Sequence, residues 1–357
     1  MRAAVVILNW NTKEYLRSFL PPLLRSLGKE DRLVVADNAS TDGSLAMMAE
    51  EFPSVQTIPL DKNYGFTGGY NRALSQLDAK YFVLINSDIL VEDGWLEPLI
   101  SYMEAHPECG LCGPKLHGLV KSADKGEYIK TGCFEYAGAA GGFLDRFAFP
   151  FCRGRVLQRV CKDEGQYDTP MDVLWCSGSC LMLRSSVWKA LGGFDERFFA
   201  HMEEIDLCWR AQLAGWKVCN VPQSRVWHLG GGTLSPKSPW KLELNYRNNL
   251  LLLDNNLTAT YLAAGASLQK AKRKAKLKTA MRVCIDNITR IIYFFSGKAD
   301  YAKAVGKAHA GWKRLRREGL LKATGTPVGI IPINIIPHAL IRRNGIFPYL
   351  DKKIFGI

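Results

Sequence analysis

The chain has no long hydrophobic run. No stretch reaches the roughly 18 consecutive apolar residues of a membrane-crossing helix, so a transmembrane protein is not expected. The opening MRAAVVILNWN is too short an apolar run for a secretory leader and reads as a first strand. Ten cysteines without such a leader predict a reducing, cytoplasmic setting. The cysteines also lack metal-ligand spacing. Cys109-x-x-Cys112 has no second well-spaced pair with histidine, and Cys176 and Cys180 stand far off, so ordinary buried thiols are preferred to a zinc site. No G-x-G-x-x-G turn follows the first apolar run, which argues against a nicotinamide or flavin cofactor. Internal repeats and low-complexity linkers are missing too.

What is present is unevenly charged. Of 47 Lys and Arg, 20 lie in residues 257–357, against only 4 of the 34 Asp and Glu. That gives the tail a net +16 and leaves the first 256 residues at −3. A basic tail of this kind predicts an acidic partner: an anionic membrane, a nucleic acid or a phosphorylated substrate. The total of 357 residues, 47% hydrophobic, predicts one large domain or one domain with appendages.

The first third alternates strand and helix patterns. Ala3 to Asn9, Arg32 to Ala36, Val55 to Leu60 and Tyr81 to Ile85 read as strands, separated by helical spacing over Thr12 to Leu27, Leu45 to Glu51 and a segment ending near Leu77. Pro21-Pro22 predicts a kink or break in the first helix. This order predicts an α/β fold with a parallel, doubly wound sheet. Residues 116–170 show little periodicity and predict either a functional loop or a set of short strands. Glu203 to Ala214 reads as an amphipathic helix, and Lys217 to Val221 as a strand.

The apolar run Tyr81-Phe82-Val83-Leu84-Ile85 ends in Asn86-Ser87-Asp88. A carboxylate at the carboxyl end of a buried parallel strand lies where open α/β sheets bind ligands, although capping the next turn would also explain it. With a divalent cation, Asp88 could neutralise a diphosphate, and Mg2+ or Mn2+ suits such oxygen-rich sites. His228, just before Gly230-Gly231-Gly232, is a second candidate ligand, or a structural histidine. Glu203-Glu204-Ile205-Asp206 puts three acids at a helix start, where they suit the helix dipole or supply a general base. Asp37 ends the second strand, where it could accept hydrogen bonds from a nucleoside; Asp42 reads equally well as a helix cap.

Several stretches together resemble the inverting family 2 glycosyltransferases of GT-A fold, above all the bacterial rhamnosyltransferase-like subgroup. They are VVILNWN at 5–11, DNASTDGS at 37–44, NYGFTGGYN at 63–71, LINSD at 84–88, SGSCLMLRSSVWKALGGFDERFF at 177–199, HMEEIDLCWRAQLAGWKV at 201–218 and VWHLGGGT at 226–233. The resemblance covers about residues 1–256, which implies a GT-A domain there: a Rossmann-like, mainly parallel sheet flanked by helices. Residues 257–357 would form a basic, mainly helical extension.

The resemblance also implies roles. Asp37 would sit at the nucleoside base with Asn9 and Asn11 nearby, and Asn63, Gly65 and Asn71 would line the nucleotide pocket. Asn86, Ser87 and Asp88 stand at the Asp-x-Asp metal motif, with Asp88 as ligand and His228 completing the site. Asn86 replaces the first acid of that motif. Glu204 occupies the position of the catalytic base, usually an aspartate, and Glu203 or Asp206 would anchor its helix. Trp175 and Gly178 would face the acceptor, with a core position preferred for Trp175. The implied reaction moves a sugar from a nucleoside-diphosphate sugar, dTDP-rhamnose before UDP-hexose, to a saccharide or lipid-linked saccharide of the cell surface.

The tail, with Phe347 and Tyr349 at the interface, would hold the enzyme peripherally at the inner face of the cell membrane or contact a second subunit. Two rival readings are a non-catalytic nucleotide-sugar-binding scaffold and a nucleic-acid-binding protein acting through its tail. The second has no recognised nucleic-acid motif beside it.

Overall fold

A computed structural model of the chain describes residues 1–122, 124, 126–230, 238–342 and 345–356. Four parallel strands set its frame: β1 (Ala3–Asn9), β2 (Arg32–Asp37), β3 (Gln56–Pro59) and β4 (Tyr81–Ile85). β1 and β4 are buried over nearly their whole length, as apolar runs covered on both faces must be. The intervening helices are α1 (Lys13–Arg25), α2 (Ser44–Glu51) and α3 (Gly65–Leu74). α1 runs unbroken through Pro21 and Pro22, so the break that the sequence allowed does not occur. Its apolar face (Leu16, Phe19, Leu20, Leu23) is buried, and that packing outweighs the two lost backbone donors.

Beyond β4 the chain forms β5 (Ile89–Val91), α4 (Leu96–Ala105), β6 (Cys109–Lys121) and β7 (Tyr128–Phe134). A small four-stranded sheet follows: β8 (Gly142–Leu144), β9 (Pro150–Cys152), β10 (Arg155–Val156) and β11 (Arg159–Val160). The weakly periodic stretch is therefore short strands. Then come β12 (Met171–Asp172), β13 (Cys180–Arg184), α5 (Ser185–Leu191), α6 (Glu203–Leu213) and β14 (Lys217–His228). The large sheet has the order β12-β14-β6-β13-β4-β1-β2-β3. β13 is antiparallel to both its neighbours, and β14 lies parallel to β6. β14 reaches His228, well past the strand end expected at Val221, through an irregularity between Asn220 and Arg225.

The C-terminal helices are α7 (Pro239–Ala263), α8 (Leu268–Phe295), α9 (Ala299–Leu315), α10 (Ile335–Ile341) and α11 (Ile346–Leu350). α7 crosses positions 256 and 257 without a break. The segment after α9 returns to the front of the molecule. Thr324 donates to the Leu213 carbonyl at the end of α6, and Ile331 donates to Leu144 in the small sheet. Phe347 and Tyr349 are not free at the surface: both pack partly buried against the core, and Tyr349 stacks on His338 at 4.8 Å. In the C-terminal region the exposed large apolar residues lie mostly on α8, with Leu340 and Ile341 on α10. Among the described residues no helix is long and apolar enough to cross a membrane.

Candidate active site

The carboxyl edge of β4 carries the turn Asn86-Ser87-Asp88, and β5 follows at once. β5 pairs antiparallel with the end of β14, with Ile89 opposite His228. That register puts His228 Nε2 3.1 Å from Asp88 Oδ1, although 140 residues separate them; both side chains are buried. The Asn86 amide nitrogen lies 3.5 Å from the same Nε2. On the other side of the ring, Glu135 Oε1 is 3.3 Å from His228 Nδ1. Glu135 is itself held by the backbone N–H of Ala137.

Burial alone would raise the Asp88 carboxyl, but the facing charge of His228 and hydrogen bonds, one from the Gly230 backbone, hold it below the usual carboxylate range. Burial likewise works against charging His228. The carboxylates of Asp88 and Glu135 outweigh it and lift the imidazole to about 10. Glu135 carries no local mark in the sequence; only the pairing of β7 with β6 brings it to the histidine.

The Asp88–His228 contact is an ion pair while the imidazole is charged, and it fits a divalent cation that displaces the Nε2 proton on binding. Its 3.1 Å separation matches, within about 0.2 Å, the edge between adjacent ligands of an octahedral ion with bonds near ~2.1 Å. Among the described residues no group of three His, Cys, Asp or Glu forms a closed cage. Such an open site suits Mg2+ or Mn2+, which keep positions for substrate phosphate and water. Gly231, Gly232 and Thr233 lie outside the described residues.

The second acidic group stands beside the same sheet edge. β13 pairs antiparallel with β4, so the loop before it, Ser177-Gly178-Ser179, meets the end of β4, and Asn86 N–H donates to the Ser179 carbonyl at 2.9 Å. Gly178 abuts Glu204: a Cβ there would lie 3.4 Å from Glu204 Cβ. Glu204 is therefore one loop away from Asn86-Ser87-Asp88. One oxygen each of Glu203 and Glu204 is buried without a hydrogen-bond partner. Burial raises Glu204 to about 7 and, with the charge of Glu204 added, raises Glu203 well above the usual range. Glu203 is the deeper of the two and keeps its proton, which leaves Glu204 as the group that ionises near neutrality.

The backbone leading into these acids is strained. Phe199, His201 and Met202 all have φ between 62° and 71°, rare for residues with side chains. Two devices hold them. Phe66 N–H donates to the Phe199 carbonyl at 2.7 Å, and Gly65 allows that approach, because a Cβ there would meet the Phe199 ring at 2.5 Å. From α7, buried Asn248 donates to the carbonyls of Phe198, Ala200 and His201 at 2.7–2.9 Å, while Arg247 donates to Phe198 at 2.8 Å. Neither α7 residue stands out in the sequence.

The loops beside β1 and β2 are tied to one another. Asn9 donates to Asp37 Oδ1 at 2.6 Å and Ser40 N–H to Oδ2 at 2.9 Å, so two of the four lone-pair positions of Asp37 are filled from within. Asn11 accepts from Thr41 N–H at 2.7 Å. Asn63 accepts from Asn38 and from Gly65 N–H, which draws the two loops together. Ile7 pairs with Ile85, so Asn9 lies level with Ser87 at the same sheet edge. Asp42 accepts from the backbone N–H groups of Ser44 and Lys13 and so ties the starts of α2 and α1 together, while Gly43 holds the N-cap position of α2.

Other expected positions fall outside this edge. The Asn71 amide is spent on both backbone groups of Phe194, so it tethers the 193–196 turn and does not face the pocket. Trp175 is 2% exposed, donates to the Phe143 carbonyl and lies against Gly142, a core residue with no face for a sugar. Asp206 is buried, paired with Arg210 at 2.7 Å and hydrogen-bonded to Asn255 and Asn256, which anchors α6 to α7. Lys241, on the first turn of α7, lies within electrostatic reach of both His201 and Glu135 and gave no signal in the sequence.

The sequence profile described as Glycosyl transferase family 2 matches residues 4–190. The N-acetylglucosaminyl-diphospho-decaprenol L-rhamnosyltransferase of Mycobacterium tuberculosis (strain H37Rv) is 28% identical over 235 residues, 63% of this chain and 75% of that protein. The rhamnosyltransferase WbbL of Escherichia coli (strain K12) is 25% identical over 236 residues, 63% of this chain and 82% of that protein. Among solved structures, GalNAc-T7 with UDP, GalNAc and Mn2+ superposes with a TM-score of 0.55 at 16% identity, over 71% of this chain and 47% of that one, a likeness of fold alone. With the profile matching more than half its length, this chain belongs to glycosyl transferase family 2, is similar to its rhamnosyltransferases, and has the GT-A fold with a helical C-terminal region.

Proposed function

We propose that the protein is an inverting glycosyltransferase that moves a sugar from a nucleoside-diphosphate sugar to a saccharide or lipid-linked saccharide during bacterial cell-surface polysaccharide synthesis. Residues 1–256 carry the chemistry, and residues 257–357 set the enzyme at the inner face of the cell membrane. One observation carries this reading: a buried carboxylate–imidazole pair and a carboxylate ionising near neutrality meet at one sheet edge, joined through Gly178, Ser179 and Asn86.

Glu204 takes the proton from the acceptor hydroxyl. The oxygen then attacks the anomeric carbon from the side opposite the departing nucleoside diphosphate, and one displacement inverts that centre. A general base works best with its pKa near the working pH, as Glu204 has. Asp88 and His228 would hold a Mg2+ or Mn2+ ion, and such an ion would supply Lewis-acid stabilisation of charge on the departing diphosphate. Glu135 fixes the histidine from behind, so that Nε2 faces the cleft. Asn9, Asn11, Asp37, Asn63 and Gly65 shape the nucleoside end of the cleft through the loops they tie together.

The rhamnosyltransferase names of two similar proteins support dTDP-rhamnose before a UDP-hexose as donor, and one of those names includes a polyprenyl diphosphate acceptor. The test is a panel of nucleotide sugars assayed for turnover with and without Mg2+ or Mn2+. Cation-dependent turnover of dTDP-rhamnose in preference to UDP-sugars is expected. Turnover of none, or turnover unaffected by a chelator, rejects the reading.

A further inference from the structure

Helix α8 turns two opposite faces to its surroundings. Ala271, Ala275, Thr279, Arg282 and Asp286 are buried against the rest of the molecule. Leu277, Met281, Cys284, Ile288, Ile291 and Phe295 follow one another at intervals of four and three residues, and all are exposed, Phe295 to 83%. At the helical repeat these six fall within an arc of about 80°, roughly opposite the buried face. Ile292 and Phe294, also more than half exposed, widen the apolar surface at the end of the helix.

The same face changes character along its length. In the first turns it presents Lys270, Arg273 and Lys274, flanked by Lys272 and Lys276, all exposed. The acid of this helix, Asp286, is buried and paired with Arg282 at 2.8 Å. Where α8 meets α9 a groove of about 620 Å³ opens, walled by Ile291, Phe294, Phe295 and Ala302 together with Arg290 and Lys303. Contiguous apolar surface on this scale marks an interaction site, not ordinary surface.

We infer that the α8–α9 hairpin seats the protein on an anionic lipid bilayer, with the Leu277-to-Phe295 stripe among the acyl chains and the lysine-rich turns on the headgroups. Charge selects this occupant over a second copy of the chain. Two parallel α8 helices would stack lysine on lysine. Two antiparallel ones would set the lysine-rich turns against the bare apolar end of the partner. Neither arrangement brings an acid to the seam, whereas coiled coils place opposite charges there. An amphipathic helix with cations and bulky apolar residues binds an anionic interface through the sum of both contributions.

The inference rests on the proposed placement at a membrane, and the test separates the two. The full chain is floated with vesicles of phosphatidylcholine alone and with roughly 30% phosphatidylglycerol added. Binding to the anionic vesicles is expected, and the triple variant Ile288→Asp, Ile291→Asp, Phe295→Asp lowers it by at least about tenfold. Lys270→Glu with Arg273→Glu weakens it less and lowers its salt dependence. These side chains are exposed, so thermal midpoints and turnover of a soluble acceptor stay as in the parent. If the parent binds anionic vesicles and the triple variant binds equally well, α8 is not the seat, although the membrane placement stands. If the parent binds no vesicles, both fall. A solution dimer that the triple variant converts to monomer also overturns the inference, in favour of a second copy.

Discussion

Asp88 and Glu204 are both buried carboxylates at one sheet edge, and their surroundings drive them in opposite directions. Asp88 faces an imidazole and takes a backbone hydrogen bond, which holds it ionised. Glu204 is raised to about 7 by burial, with one oxygen left without a partner. The difference teaches that residue type does not assign the role. A carboxylate kept charged at all relevant pH values is equipped to hold a cation, and one poised near 7 is equipped to move a proton.

The largest expected effect comes from removing the poised member. Glu204→Gln is expected to lower kcat by about 10²–10⁴ while nucleotide binding, read by calorimetry, is unchanged. Near-normal turnover would place the base elsewhere and dissolve the contrast.

The pH profile sharpens the same contrast. Glu204 is protonated below about 7, so kcat/KM is expected to rise with pH up to that value and to fall about tenfold per unit well below it. The linked effect on folding has the opposite sign. The pKa is raised in the folded state, so the contribution to stability is present in full below the unfolded value of 4.5 and is lost as pH climbs through about 7. Thermal melts of the parent should decline over that range more than those of Glu204→Gln.

On the other side of the comparison, Glu135→Gln leaves both presumed ligand atoms in place and weakens only the hold on the ring. A rise of about 10–100-fold in the cation concentration for half-maximal activity is expected, with kcat at saturating cation little changed. The smallest effect should come from Asn248→Ala, which strips three carbonyls of their donor. A loss of about 1–3 kcal/mol in unfolding free energy is expected, with kcat reduced more than KM, because the loop that carries Glu204 loses its clamp.

Much of the frame was legible beforehand. β1, β2 and β4 are apolar runs of strand length, and a strand buried on both faces has to look that way. Asp88 stood out because its run stops abruptly, and Glu204 because three acids crowd a helix start. β5 was not legible: three residues carry no period, and its pairing with β14 alone makes it a strand. Glu135 and Asn248 were hidden for a related reason. Each acts through one contact with a distant segment, and a single residue has no pattern. The prolines of α1 do not end the helix, because local propensity is outweighed where a helix face is buried.

The sequence by itself determined the family, the alternation of strand and helix and the basic C-terminal region, all of them local patterns or ordered motifs. Only the tertiary structure decided which groups share a sheet edge. The register of β5 on β14 sets Asp88 beside His228, the pairing of β13 with β4 carries Gly178 to Glu204, and α7 clamps the strained turn before it. Such contacts depend on strand order and register, which arise from packing the whole core and leave no trace in any one segment.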